Sequence, residues 1–243
     1  MRLWQEVLHN PQRLADYYEK LWSAQLGHER RFYDAVRYRF NATQRPYYLL
    51  YLLARCVKAS VRYNANGEFN QSPDNRRKGR DPKAMRRDIM RASALLHGKT
   101  CLLAEGYQTV LKLATPADLV YLAPPYQGVS ANRDPRYIQG VDFEGFVQQL
   151  YELNARRIAY IVSYDGRTGD KEFGQPLPAE LGLKRSEIVA GRSSQATLLG
   201  QAAITYESLY LSPALLEWLD RVPAHFWSAQ VAPQQLSLFG ESA

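Results

Sequence analysis

The sequence predicts an α/β fold preceded by a helical region, and three observations carry that prediction. Up to about Leu96, apolar residues recur at helix spacing. From Thr100, short apolar runs alternate with amphipathic stretches, the pattern of a sheet flanked by helices. Late in the first regime stands Arg62-Tyr63-Asn64-Ala65-Asn66-Gly67-Glu68-Phe69-Asn70, where Asn-Gly between aromatic-bearing arms marks a hairpin, both turn residues tolerating positive φ. The expected division is a helical, hairpin-bearing region over 1–99, an α/β region over 100–222, and a tail over 223–243 open to disorder.

Leu3, Trp4, Val7 and Leu8 begin the helical pattern, and Leu14, Tyr17, Tyr18, Leu21 and Trp22 continue it. Arg45 to Val61 is strongly apolar and reads as one buried helix begun by Pro46 in a first-turn position, with Tyr47, Tyr48 and Tyr51 in the core. After the hairpin comes a polar, basic tract to Arg80, and a helix resumes near Pro82. Thr100–Leu103 and Asp118–Leu122 read as strands, Val141–Asn154 as an amphipathic helix with Phe143, Phe146, Val147 and Leu150 inward, and Ile158–Ser163 as a buried strand. Two strand-like runs within Ala196–Leu211 suit a terminal antiparallel pair.

Composition excludes several classes. In 243 residues there is no apolar run near membrane-spanning length. The N-terminus carries charges where a signal peptide needs an apolar stretch, so the reading is a cytoplasmic protein of the bacterial cytosol or nucleoid. Cys56 and Cys101 are too few for a disulfide framework, and neither they nor the four histidines show metal-ligand spacing, so no metal is expected. The net charge is +7, and its placement is informative. Arg76, Arg77, Lys78, Arg80, Lys83, Arg86, Arg87 and Arg91 face only Asp81 and Asp88 within their segment. Such a run suits phosphate contacts, and equally an exposed helix face with no partner.

Chemistry points to one strand exit. Asp118-Leu119-Val120-Tyr121-Leu122 runs into Ala123-Pro124-Pro125-Tyr126. The prolines donate no backbone hydrogen bond, so they end the ladder and stiffen the loop, holding Tyr126 at the mouth of the sheet with a flat face to offer. A rigid strand exit alone would need no function.

YLAPPYQG resembles the Asp-Pro-Pro-Tyr motif of amino-methyltransferases acting on adenine N6, and RYNANGEFN upstream of it resembles the D12-class, Dam-like DNA adenine methylases. SYDGRTGDKEFG and TYESLYLSP are similar to that class as well, and the likeness spans most of Leu3–Leu215. It implies an incomplete Rossmann-like methyltransferase sheet with a target-recognition region carrying the hairpin. It also implies transfer of a methyl group from S-adenosyl-L-methionine to an adenine flipped out of double-stranded DNA, within a restriction–modification system. On that mapping Ala123, Pro124, Pro125 and Tyr126 form the catalytic motif, the Pro124 carbonyl accepting from the amine and Tyr126 stacking on the base. Arg62, Tyr63, Asn64, Asn66, Glu68, Phe69 and Asn70 form or flank the DNA-reading hairpin, and Arg76, Arg77, Lys78 and Arg80 hold phosphates. Glu105, Tyr107 and Ala123 border the cofactor, although an acid of a solvated loop explains Glu105 as well.

Two departures from the family pattern shape the expectation. Ala123 stands where the motif has its acid. Loss of a hydrogen bond to a charged group costs about 1.5–3 kcal/mol, about tenfold to a hundredfold in rate at the transition state. An engineered substitution that traps a complex and a natural pseudo-enzyme both account for it, and the intact remainder of the motif favours the first. The family's Gly-rich cofactor loop is also missing, and MRLWQEVLHNPQRL resembles the helix that follows the second strand. The expectation is therefore half of a two-chain enzyme, a heterodimer whose second polypeptide carries the Gly-rich loop. The alternative is a non-catalytic DNA-binding subunit that targets a partner. A weaker one is methylation of cytosine N4 or of RNA, from which the hairpin points away. Arg133, Asp134, Arg136 and Tyr137 read as a loop that closes over the base or simply lies in solvent, and Asp165-Gly166 as a turn with a share in lining the pocket.

Overall fold

The computed structural model describes residues 1–59, 61–124, 141–168, 171–192 and 204–221. Its contacts divide the chain into two compact units, Met1–Ala104 and a second that begins at Glu105.

The first unit is helical. Helices α1 (Arg2–His9) and α2 (Pro11–Ala24) are parted at Asn10, whose backbone leaves helical space just before Pro11 opens a new first turn. Gln44, left-handed at φ 53, ends α3 (Glu29–Thr43), and Pro46 opens α4 (Pro46–Arg55). Asp81 caps α5 (Pro82–Leu96), its carboxylate accepting the Ala84 N–H at 3.0 Å. Val7, Leu14, Ala15 and Ile89 form one core; Tyr33, Val36, Phe40, Tyr51, Leu52 and Phe69 form another. Of the three tyrosines expected in the core, Tyr51 is fully buried, whereas Tyr47 and Tyr48 are half-buried and Tyr47 stacks on Tyr17 at 4.3 Å.

The apolar run Arg45–Val61 is not one helix. Cys56 turns to extended backbone and bridges Pro73, while the Val57 N–H donates to the Ser72 carbonyl at 3.0 Å. Pairing with the loop beyond the hairpin breaks the α-helix, and a single 3₁₀ turn, Val57–Ala59, follows.

The second unit holds a sheet in the order β1-β2-β5-β4, with β3 against the far end of β2. Strand β1 (Leu119–Leu122) runs parallel to β2 (Ala159–Thr168), connected through a segment that includes α7 (Phe143–Ala155). β3 (Lys171–Phe173), β4 (Lys184–Arg192) and β5 (Ile204–Leu211) are all antiparallel to their neighbours. Phe146, Leu150 and Leu153 of α7 pack on Ile158, Tyr160, Val162 and Tyr164. Before β1 lies the short α6 (Tyr107–Leu111), and after β5 comes α8 (Pro213–Arg221), where Ser212 Oγ accepts the Leu215 N–H.

Several expectations change here. Thr100–Leu103 has irregular backbone, because a strand needs a ladder and this stretch has none among the described residues. The partner of β5 is β4, a mostly exposed strand without the apolar alternation that would reveal it; residues 193–203, expected to contribute the other strand, lie outside the described residues. Asp165-Gly166 is not a turn: both sit inside β2, at a bulge opposite β5. Residues 222–243 also lie outside the described residues.

Candidate functional site

In the first unit the hairpin forms on a three-residue loop. The Asn64 N–H donates to the Glu68 carbonyl at 2.9 Å, and the Asn70 N–H to the Arg62 carbonyl at 2.9 Å, leaving Tyr63 opposite Phe69. Gly67 takes positive φ, 75°, and Asn66 does not, so the expected two-residue Asn-Gly turn is instead a longer loop closed by glycine. The reason is the Asn64 side chain. Its Oδ1 accepts from the Asn66 and Glu68 N–H groups at 3.0 and 2.9 Å, and its Nδ2 donates to the Glu68 carboxylate at 2.8 Å. This Asx turn sets the loop one residue earlier.

The nine hairpin residues therefore divide into scaffold and surface. Phe69 is 1% exposed, edge-on to Phe40 and Tyr63 at 6.0 and 5.9 Å. Its ring anchors the hairpin from within and does not face outward, which corrects its expected place on the DNA-reading surface. Asn64 is occupied by the turn. Arg62, Asn66 and Glu68 are exposed, while Asn70 is half-buried with its Oδ1 buried and without a hydrogen-bond partner among the described residues.

The loop that follows is held through its carbonyls. Tyr33 Oη donates to the Gln71 carbonyl at 2.8 Å, Arg55 Nη1 to Asp74 at 3.0 Å, Gln25 Nε2 to Lys78 at 2.8 Å and Tyr18 Oη to Arg80 at 2.6 Å. Tyr51 in turn donates to Gln25 at 2.9 Å. Asn41 grips the loop's root at two points, accepting the Phe69 N–H at 2.9 Å and donating to its carbonyl at 3.1 Å. Burial pushes the Tyr18 and Tyr33 hydroxyls far above their ordinary titration range, so they remain donors at any physiological pH. These supports were not recognised from sequence. Their one visible trace is the abundance of tyrosine, seventeen in all.

The basic residues on this loop are exposed or half-buried, and three of the four are paired. Arg77 meets Asp74 at 3.0 Å, Lys78 meets Glu29 at 3.2 Å, and Arg80 meets Asp88 at 2.9 Å. Asp74 is held below the usual carboxylate range, first by the Arg76 backbone N–H and then by the Arg77 side chain. The fourth cation, Arg76, is exposed.

In the second unit, β1 ends at Leu122, opposite Val162, and the chain leaves the ladder at Ala123 and Pro124. Ala123 is exposed and Pro124 half-buried. Pro125 and Tyr126 lie outside the described residues, as do Arg133, Asp134, Arg136 and Tyr137. β2 continues past this exit through Ser163, Tyr164 and Asp165, all buried. Asp165 accepts from Tyr210 Oη at 2.6 Å and lies 3.9 Å from Arg185, and its other oxygen has no hydrogen-bond partner among the described residues. Burial, then the bond to Asp165, raises the Tyr210 hydroxyl. Glu105 is exposed, and Tyr107 is half-buried and edge-on to Phe146 at 6.2 Å.

β1 is an edge strand among the described residues, and Leu119 and Tyr121 are 59% and 62% exposed. Parallel strands are ordinarily covered on both faces and flanked, so this edge is unusual. Among the described residues no cluster of His, Cys, Asp or Glu could hold a metal, and no helix is long and apolar enough to cross a membrane.

A parallel strand pair with a helix in the segment between its strands, extended by antiparallel strands and leaving the ladder at Ala123-Pro124, is consistent with part of a methyltransferase α/β sheet. The model of the D12 class N6 adenine-specific DNA methyltransferases matches residues 1–175, and the chain belongs to that family. A comparison with curated proteins finds no match.

Proposed function

We propose that this chain carries the target-recognition and catalytic-motif part of a site-specific DNA adenine-N6 methyltransferase, and that a polypeptide segment outside these residues supplies the Gly-rich cofactor loop and the strands that lie beyond β1. The observation that carries the proposal is the β1 edge, which no described strand pairs, with Leu119 and Tyr121 exposed beside a strand exit of the methyltransferase type. Strands added there would pair the open N–H and C=O groups, and the helices that connect them would cover the face carrying Leu119 and Tyr121. The residues on hand fit only part of S-adenosyl-L-methionine. Glu105 offers an acceptor and Tyr107 an aromatic edge, but the described residues include no loop of backbone N–H groups at a strand end to hold the cofactor's carboxylate. The purified chain is expected not to bind S-adenosyl-L-methionine on its own in calorimetry; tight binding would sink the divided-pocket idea.

In this reading the outer residues of the hairpin, Arg62, Asn66 and Glu68, meet base edges, and the target adenine is flipped toward Ala123–Tyr126 for methylation as part of a restriction–modification pair. Alanine at 123 brings no side-chain acceptor to the amine, so methyl transfer by the chain as it stands is slow. Ala123→Asp is expected to raise N6-methyladenine at one sequence by about tenfold to a hundredfold, measured by single-molecule sequencing of DNA from cells expressing the chain with its operon. No gain would count against a catalytic role for this strand exit. Ala123 also favours a second reading, a non-catalytic DNA-binding subunit whose partner does the chemistry. A partner bearing its own Pro-Pro-Tyr motif would decide for it.

A further inference from the structure

The basic segment Arg76–Arg91 does not act as one patch, because the fold sorts its cations. Arg77, Lys78 and Arg80 are each paired with a carboxylate, and Arg86 of α5 is held between Asp16 and Glu19 of α2 at 2.7 and 2.8 Å. Arg76 lies in the field of Asp74, which already serves Arg77. Lys83, Arg87 and Arg91 differ. All three are exposed, and none has an ion-pair partner among the described residues.

Their spacing places them on one stripe of α5. Positions four and eight apart lie on the same helix face, on the side opposite Met85, Ile89 and Ala92, which pack into the core. Among the described residues no ion pair engages the stripe, and the segment's own two carboxylates are occupied elsewhere: Asp81 caps the helix and Asp88 pairs with Arg80. The stripe is about 12 Å long from Lys83 to Arg91, the axial rise of about three to four phosphates on one DNA strand.

We propose that Lys83, Arg87 and Arg91 form the phosphate-contacting face of this protein on duplex DNA, in place of the loop cations Arg77, Lys78 and Arg80. Met85, Ile89 and Ala92 of α5 are spent on the core, and the exposed Met90 and Leu95 lie far apart around the helix, so they form no continuous apolar face to enter a lipid surface. Three uncompensated charges on a rigid helix instead match a run of phosphates. The loop cations, by contrast, would each have to abandon a carboxylate before meeting one. The proposal deepens the DNA-methyltransferase reading and rests on it.

The test compares the full chain with a K83Q/R87Q/R91Q variant and with an R77Q/K78Q variant, by titration of a DNA duplex of arbitrary sequence over a range of salt. Glutamine keeps helix propensity, and circular dichroism checks that each variant is folded. The slope of log affinity against log salt is expected to fall by about 2.7 in the triple variant, about 0.9 for each phosphate no longer neutralised, with equal weakening on unrelated duplexes. In R77Q/K78Q it is expected to change far less. If wild type binds duplex and the triple variant keeps its slope, or if the R77Q/K78Q variant takes the larger loss, the stripe is overturned while the DNA reading stands. If wild type binds no duplex at low salt, or prefers anionic vesicles to duplex, the DNA reading fails and the stripe fails with it.

Discussion

Gly166→Ala is expected to destabilise the second unit by about 3 kcal/mol, the upper end of what overpacking costs, out of a total of roughly 5–15 kcal/mol for a typical domain. The reason is steric. A Cβ at Gly166 would overlap the Tyr206 carbonyl oxygen of β5, and backbone cannot rotate aside as a side chain can. Relief requires the β2–β5 ladder to part at its bulge, between Ser163 and Gly166. That bulge also carries Asp165 and its bond to Tyr210, so the same change would disturb a buried polar group on β2 beyond the end of β1. Urea denaturation of the full chain measures the loss, and near-wild-type stability would mean the strands are farther apart than described. Gly67 gives the contrast. A Cβ there meets nothing within 4 Å, and only its φ of 75° resists substitution. Gly67→Ala should cost about 1–2 kcal/mol and leave the second unit untouched.

Phe69→Ala is expected to cost about 3–5 kcal/mol, the range for removing a buried phenyl ring. The ring fills the space between Phe40 and Tyr63, and the backbone around it is clamped by Asn41. Removing it would loosen the hairpin's root as well as the core of α3 and α4. Substitution of Arg62 or Asn66, both exposed, should instead stay within about 0.5 kcal/mol while changing which DNA sequences are preferred. Urea midpoints for the three variants, with competition binding between duplexes of different sequence, separate anchor from reader. A stable Phe69→Ala variant that only shifts sequence preference would place the ring on the reading surface after all.

Much of the architecture was legible because it rests on local rules. Pro11, Pro46 and Pro82 each open a helix in the first turn, and Asp142 starts α7 by accepting the Gly145 N–H at 2.9 Å. Ser212-Pro213 opens α8 by the same signal, although no helix was expected there. The hairpin, too, was visible in Asn66-Gly67. What escaped was non-local. β4 is exposed and mixed in polarity, so it is a strand only because β5 lies beside it. α4 stops at Arg55 because Pro73 and Ser72 compete for the backbone of Cys56 and Val57.

The same division holds for the strand exit at Ala123-Pro124. By itself the sequence determined that a short apolar strand ends in prolines, that the acid expected there is replaced by alanine, and that a hairpin precedes it, since composition and turn chemistry act over a few residues. Only the tertiary structure decided that β1 is an edge strand among the described residues, that β2 carries Asp165 past it, that Phe69 points inward, and that Arg77, Lys78 and Arg80 are paired while, among the described residues, Lys83, Arg87 and Arg91 are not. Each of those depends on which distant group arrives at a given side chain, and burial and ion pairing are properties of that meeting, not of either residue alone.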